Sequence, residues 1–402
     1  MVEEAVCEVP QEQKERVKST HKAEVVPVVM TKHTNADTLS VVSIFDGGYT
    51  CVVRTEDWIG KTKAVYIPPD STVDVRRPEF AFLAAEAKAD NRVRIRAKKL
   101  RGVVSFGMLV PVADDAVIGT DMAGELGIEH YEPPIAELKG SNRGSFYMGG
   151  ELDSGPTIFS VKYDVDTLRR YKDRFVQGEP VYVTIKMDGS NARFVYSEGK
   201  FHCGSRTMWK REFPSFSHVT KENLLTQGVP EDRVQVILED IERKKAHPRK
   251  NMWHELLDLT PSLRAFLEAN PDYLVYGECV AAQGRIKYGF KENVRFFAFD
   301  VMKDGKWIDF GEMVELLNNY DVPIVPVLDE NGNRQDIKNI KPIPFDFELI
   351  CKLSEGLTLC DGVKDGVIRE GVVVEPVNIR IDPHIGRIKL KVVSSTYLEK
   401  YK

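Results

Sequence analysis

Val181-Tyr182-Val183-Thr184-Ile185-Lys186-Met187-Asp188-Gly189-Ser190-Asn191 is the stretch on which the reading of the whole chain turns. Val, Tyr and Ile in succession favour a buried strand, yet this one ends on a lysine. Burial strips an amine of part of its proton affinity, so that it can act as a nucleophile near neutral pH. Gly189 allows a sharp turn and a close approach of backbone to a ligand. Taken alone, a surface lysine ahead of a turn is the commoner explanation of these residues, and the flanking sequence has to decide.

Downstream, Ala192–Tyr196 and Lys200–Cys203 read as a hairpin about Glu198-Gly199. A helix follows with Val234, Ile237, Leu238 and Ile241 on one face, and a second is capped at Thr260-Pro261 and stops before Pro271. Strands are expected at Tyr273–Tyr276, Val294–Val301, Val367–Glu375 and Arg387–Val393. The last alternates strictly: Ile388, Leu390 and Val392 take one face, Lys389 and Lys391 the other. If the lysine face lines the pocket of Lys186, two cations stand there to hold a phosphate and to depress the amine's pKa by repulsion. Carboxylates stand at the ends of two further strands, Glu278 closing one in Tyr276-Gly277-Glu278-Cys279 and Glu370 opening one in Glu370-Gly371-Val372. A single acid so placed is usually solvated or capping, but in a phosphoryl-transfer pocket it has a use. Such hard oxygen ligands suit Mg²⁺ beside a triphosphate. Arg295-Phe296-Phe297-Ala298-Phe299-Asp300 puts aromatics on both faces of a strand, one of which could stack on a purine.

Upstream, residues 25–110 show short strands and turn signals, including Leu39–Phe45, the turn Asp46-Gly47-Gly48, Tyr49–Arg54 and Ala64–Ile67. That pattern suggests a small barrel or sandwich. Within it, Asn91–Lys99 alternates Arg92, Arg94, Arg96 and Lys98 with Val93, Ile95 and Ala97, giving a basic stripe over an apolar one. The stripe reads either as a solvated outer face or as a phosphate-contacting surface. Residues 111–150 are rich in Asp, Gly, Pro and Glu and read as a linker with one short helix at Asp121–Leu126. Residues 1–24 read as a polar lead and 151–402 as the larger, mixed domain.

Composition sets limits. A chain of 402 residues, 42% hydrophobic and 29% charged, suits a globular protein of two or three units. No apolar run is long enough for a membrane helix, and the first residues carry no apolar signal core. The six cysteines are scattered, with no CxxC pair, which points to a reducing compartment, taken as the cytoplasm, and away from a zinc site. A net charge of −5 leaves any polyanion binding to local patches.

In order along the chain, Lys186, Ser205-Arg206-Thr207, Glu278, Phe296, Glu370 and Lys389/Lys391 resemble the motifs of the DNA ligase, RNA ligase and mRNA-capping superfamily. The resemblance spans roughly residues 178–393. Asn191 in KxDGxN is similar to nick-sealing RNA ligases rather than to DNA ligases or capping enzymes. Only 11 residues follow Lys391, short of the C-terminal OB domain of those relatives. A small barrel placed first resembles the Naegleria-type RNA ligases, as does Leu126-Gly127-Ile128 followed by Tyr131-Glu132-Pro133-Pro134.

The resemblance implies an α+β chain: an N-terminal OB-like β barrel, then a nucleotidyltransferase domain of antiparallel sheets with flanking helices. It implies an ATP-dependent RNA ligase that carries AMP on Lys186 and joins RNA 3′-hydroxyl and 5′-phosphate ends, acting as a monomer on a nicked duplex. Lys389 and Lys391 would clamp the α-phosphate. Phe296 would stack on adenine, Glu278 would hold the ribose, and Asn191 and Arg206 would lie against the nucleotide. Asp188 and Glu370 would hold Mg²⁺ or Mn²⁺ through water. The alternatives are a DNA-joining ligase and a nucleic-acid-binding relative that has lost catalysis. This chain departs from the pattern at Ile185, where many relatives have an acid, and at Ala281, where a glycine is common. The long interval before Glu278 includes the basic segment Arg243–Lys250, read as an RNA-contacting surface or as a solvated insertion.

Overall fold

The computed structural model describes residues 21–87, 90–131, 152–217, 219–226, 229–281, 286–292 and 294–401. They divide into two compact units, the first on residues 21–44, 50–96 and 105–131 and the second chiefly on 152–401.

In the first unit, short strands form three-stranded sheets, among them Glu24–Pro27, Lys63–Ile67 and Met108–Pro111, and Glu129–His130, Ser71–Asp74 and Arg92–Arg94. Their inward residues, including Val25, Val65, Ile67, Val73, Val93 and Val110, share one core with Phe80, Leu126 and Ile128. Two expectations fail here. No helix forms at 121–126: the Asp121 carboxylate accepts from the backbone of Ala23 and Ala123, and a turn results that drives Leu126 and Ile128 inward. Part of the expected linker is therefore core of this unit, while 132–151 lies outside the described residues. The strand expected over 91–99 is confined to Arg92–Arg94; Lys98–Leu100 belongs to a separate hairpin with Val103–Ser105, closed at Arg101 and Gly102 with positive φ.

The second unit rests on two sheets. We label its principal strands β1 (Pro180–Lys186), β2 (Ser190–Ser197), β3 (Lys200–Ser205), β4 (Leu274–Ala281), β5 (Val294–Lys303), β6 (Gly371–Pro376) and β7 (Leu390–Val393). A five-stranded sheet has β7, β6 and β1 as adjacent strands. A six-stranded sheet has β3, β2, β4 and β5 in that order. The three residues between β1 and β2 carry the chain from one sheet to the other. Gly189 sits there so close to β4 that a Cβ would lie 2.4 Å from the Cys279 carbonyl oxygen. Glycine alone fits.

One face of the six-stranded sheet is covered by helices Met252–Asp258, Pro261–Ala269 and Phe310–Asn318, which bury Ala192, Phe194, Val275, Phe296, Ala298 and Val301. Over the other face Ile158, Val161 and Tyr163 pack on Val195, Tyr276 and Met302. The long interval before β4 also holds helices Lys221–Thr226 and Glu231–Ala246, whose apolar faces (Leu224, Val234, Ile237, Ile241) make a core of their own with Phe216. The basic segment at the end of the longer helix is largely paired: Arg243 and Lys244 with Asp240, Lys245 with Glu242, and Lys250 with Glu212 and Asp258. Among the described residues no helix is long and apolar enough to cross a membrane, and the five described cysteines are all free.

Candidate active site

Register decides which side chains share the cleft. Thr184 pairs with Val373, and Val373 with Lys391. Residues paired across strands point the same way, as do residues two apart along one. Lys186, Thr184, Val373 and Lys391 therefore stand on one face of the sheet. Gly371 pairs with Lys186 on one side and Val393 on the other; a Cβ there would lie 2.1 Å from the Val392 carbonyl oxygen.

Lys186 Nζ lies 2.7 Å from Glu370 Oε2. Burial pulls the pKa of this ammonium down, but Glu370, Glu278 and Asp188 outweigh it and leave the amine above its ordinary range. The expected depression by neighbouring cations is thus reversed, because the surrounding acids dominate. The repulsion is visible on the partner instead. Burial chiefly, and Lys186 in addition, lower the pKa of Lys391 against the pull of Asp164. The Glu278 carboxyl, on β4, is pushed up to about 8, first by burial and then by Glu370 and Asp188, with Lys186 opposing. Asp188 is fixed from both sides, its N–H donating to Tyr288 Oη at 2.7 Å and its carboxylate accepting from Ile286 N at 3.2 Å.

Asn191 pairs with Glu278 across β2 and β4, and its Oδ1 is buried with no hydrogen-bond partner among the described residues. A buried acceptor left unpaired costs stability, and here it faces the cleft beside Glu278. Arg206 follows β3 and lies 4.0 Å from Asp164, which is 3.9 Å from Lys391, so Arg206 and Lys391 flank one carboxylate.

Two expected residues are placed differently. Phe296 is 1% exposed and packs edge-on against Phe194 beneath the helices, so it cannot meet a nucleotide in the cleft. The pairing of β4 with β5 slips between Tyr276 and Gly277, which match Asp300 and Ala298. This bulge turns Phe299 and Asp300 to the same side, and Phe299 is the half-exposed aromatic there, 4.7 Å from the Tyr163 ring. Lys389 shares the lysine face, but its ammonium is buried. It donates to the Phe299 carbonyl and to Asp300, each at 2.9 Å, and lies 2.8 Å from Glu375 Oε1 in an ion pair. Enclosed by three oxygens, it presents no side to a ligand. Arg387 and Lys389 both turn to these carboxylates, and the expected strand over 387–393 is interrupted at Ile388 and Lys389.

The expected basic stripe is not one surface. Arg92 pairs with Glu129 at 2.7 Å, Arg94 is bound by Asp70 and stacks over Tyr131 at 4.0 Å, Arg96 is exposed, and Lys98 is on the separate hairpin. Tyr288, Asp164 and Phe299 were missed in the sequence; only Phe299 lay in a stretch already under suspicion.

A family model described as RNA ligase matches residues 179–393, more than half of the chain, and the chain belongs to that family. A second, described as an OB-fold domain, matches residues 23–112. The fold is similar to an apo variant of the Naegleria gruberi RNA ligase, at 20% identity and a TM-score of 0.67 over 95% of this chain and 99% of that one. It is also similar to a variant of that ligase solved with ATP and Mn (20% identity, TM-score 0.66, 94% and 98% covered) and to one solved with AMP and Mn (21%, 0.66, 94% and 98%). The curated proteins contain no match to this sequence. The architecture is therefore an N-terminal OB fold followed by a ligase domain of antiparallel sheets with flanking helices, in the α+β class.

Proposed function

We propose that the chain is an ATP-dependent RNA ligase whose nucleophile is Lys186. The observation that carries this is Lys186 at a cleft between two sheets, with Lys391 on its own face and Glu278, Glu370 and Asp188 around it. Lys186 Nζ, once deprotonated, attacks the α-phosphorus of ATP; the N–P bond forms, the bond to the bridging oxygen breaks, and pyrophosphate leaves. The AMP passes to an RNA 5′-phosphate, and a 3′-hydroxyl then displaces it. Lys391 and Arg206 bind phosphate oxygens, and Lys391 stabilises the charge that develops at the α-phosphate. Phe299 and Val373 offer an aromatic and an aliphatic surface for adenine, while Glu278 and Asn191 hold the nucleotide's hydroxyls.

The acids around Lys186, which are hard oxygen donors, fit a divalent cation. Asp188 and Glu370 would hold Mg²⁺ or Mn²⁺ through water, and the ion, by offsetting their charge, would let the Lys186 ammonium lose its proton. The reading is of a monomer acting on nicked RNA duplex.

Incubation with α-labelled ATP and Mg²⁺ tests the reading. A denaturation-resistant label that disappears in Lys186→Ala supports it; no label on the unaltered protein would favour a nucleic-acid-binding relative without catalysis. Equal or better sealing of all-DNA nicks than of nicks with RNA 3′-hydroxyl ends would make it a DNA-joining enzyme.

A further inference from the structure

Behind the cleft, four charged side chains close a ring that the reaction as derived above does not use. Arg387 donates to Asp300 at 2.7 Å and to Glu375 at 2.8 Å, and Lys389 lies 2.9 Å from Asp300 and 2.8 Å from Glu375. None of the four side chains is more than 10% exposed. Tyr163 Oη donates to Asp300 at 2.8 Å, and the Arg387 guanidinium stacks over Trp307 at 4.8 Å. Removing four charges from water costs about as much as their attraction returns, so apolar residues would stabilise the fold equally well. A ring of this kind contributes fixed geometry instead.

Its members come from both sheets. Asp300 lies on β5, beside the bulge that turns Phe299 to the cleft; Glu375 lies on β6, while Arg387 and Lys389 lead into β7. The ring thus ties the sheet carrying Phe299 and Glu278 to the sheet carrying Lys186 and Lys391. The groups that shift Lys186 most, Glu370, Glu278 and Asp188, all lie outside the ring.

We propose that Arg387 and Glu375 are positioning residues for the nucleotide: by completing the ring they set the spacing of the two sheets across the cleft, so that Phe299 and Lys391 can engage one ATP together. Lys389 belongs to the ring and acts through it, not as a phosphate ligand. The proposal rests on the ligase reading above. A residue that sets the width of a binding cleft acts on affinity; one that only supports the fold changes the fraction of active protein and leaves KM alone.

The test is the ATP dependence of lysine adenylylation in the full chain. Glu375→Gln keeps the volume but leaves two buried cations with one carboxylate, and it should raise the KM for ATP by about tenfold while the saturated rate falls less than about threefold. Arg387→Lys keeps the charge but not the two-pronged bond, and should move KM in the same direction by a smaller factor. Tyr163→Phe removes one hydrogen bond and no charge; it keeps the test open if the charge variants fail to fold, and should raise KM about twofold to threefold. A fall in the saturated rate at unchanged KM in folded Glu375→Gln, or an unchanged KM in Tyr163→Phe, overturns the proposal. Failure of the unaltered protein to take label would instead sink the ligase reading itself.

Discussion

Two stretches of this chain share one formula and meet opposite fates. Around Arg92–Lys98 and again over Arg387–Lys391, cationic and apolar residues alternate, and in both the apolar set, Val93 and Ile95 or Ile388 and Leu390, is buried. In the first, Arg92 meets Glu129, which is 65% exposed, and Arg96 stands in solvent. In the second, Arg387 and Lys389 are enclosed with Asp300 and Glu375, and Lys391 faces Lys186. Alternation fixes which way a side chain points, but what lies opposite decides whether that direction is water or a cleft.

The comparison breaks most sharply at Lys391. Lys391→Ala should slow adenylylation on the order of a hundredfold with the fold intact, as loss of a charge aimed at the reacting phosphate does. A loss under about threefold in a single-turnover assay would put Lys391 among the solvated cations. The same contrast exists within β5. Phe296→Ala should lower unfolding stability by about 3–5 kcal/mol, because a filled core position becomes a cavity. Phe299→Ala should leave denaturant midpoints nearly unchanged while raising the KM for ATP about tenfold. Exchange of those two phenotypes would return the stacking role to Phe296.

Glu278 gives an effect with a defined sign. Its carboxyl is raised to about 8 in the folded protein, whereas an unfolded chain releases that proton near the ordinary value of 4.5. The unfolded state therefore gains from ionisation first, and this residue costs the fold stability progressively as pH climbs from about 4.5 to 8. Glu278→Gln removes the cost, so its melting temperature should draw ahead of the parent's toward pH 8 while adenylylation falls. A gap that narrows with rising pH contradicts the assigned environment. The smallest effect is expected in the first unit: Arg96→Glu should weaken sealing less than about threefold at physiological salt and leave lysine labelling untouched. A larger loss in a sealing assay would make the exposed end of that stripe a true RNA contact.

Local patterns were legible in the sequence wherever one strand and its own turn decided the outcome. The strand ending at Lys186, the hairpin about Glu198-Gly199 with both residues at positive φ, and the helix face of Val234, Ile237 and Ile241 are of this kind. Glu278 and Glu370 were legible through their order along the chain with Lys186 and Lys391, since a lone acid at a strand end is ordinarily solvated. Phe299 was not, because a bulge reverses facing and arises from the pairing of β4 with β5, which neither strand encodes alone. The raised pKa of Lys186 escaped for a related reason: the sign depended on distances to Glu370 and Glu278, which are fixed only when the two sheets meet. Residues 121–131 look like a linker in composition, yet Leu126 and Ile128 fill a core assembled from distant strands.

The crossing at Met187-Asp188-Gly189 has a mechanical consequence. A nucleotide bonded to Lys186 and gripped at the same time by Glu278 and Asn191 becomes a strut spanning both halves of the scaffold. Loaded protein should therefore breathe less than empty protein, with slower amide exchange along β4 and β7, and each round of joining would begin by stiffening the enzyme and end by loosening it.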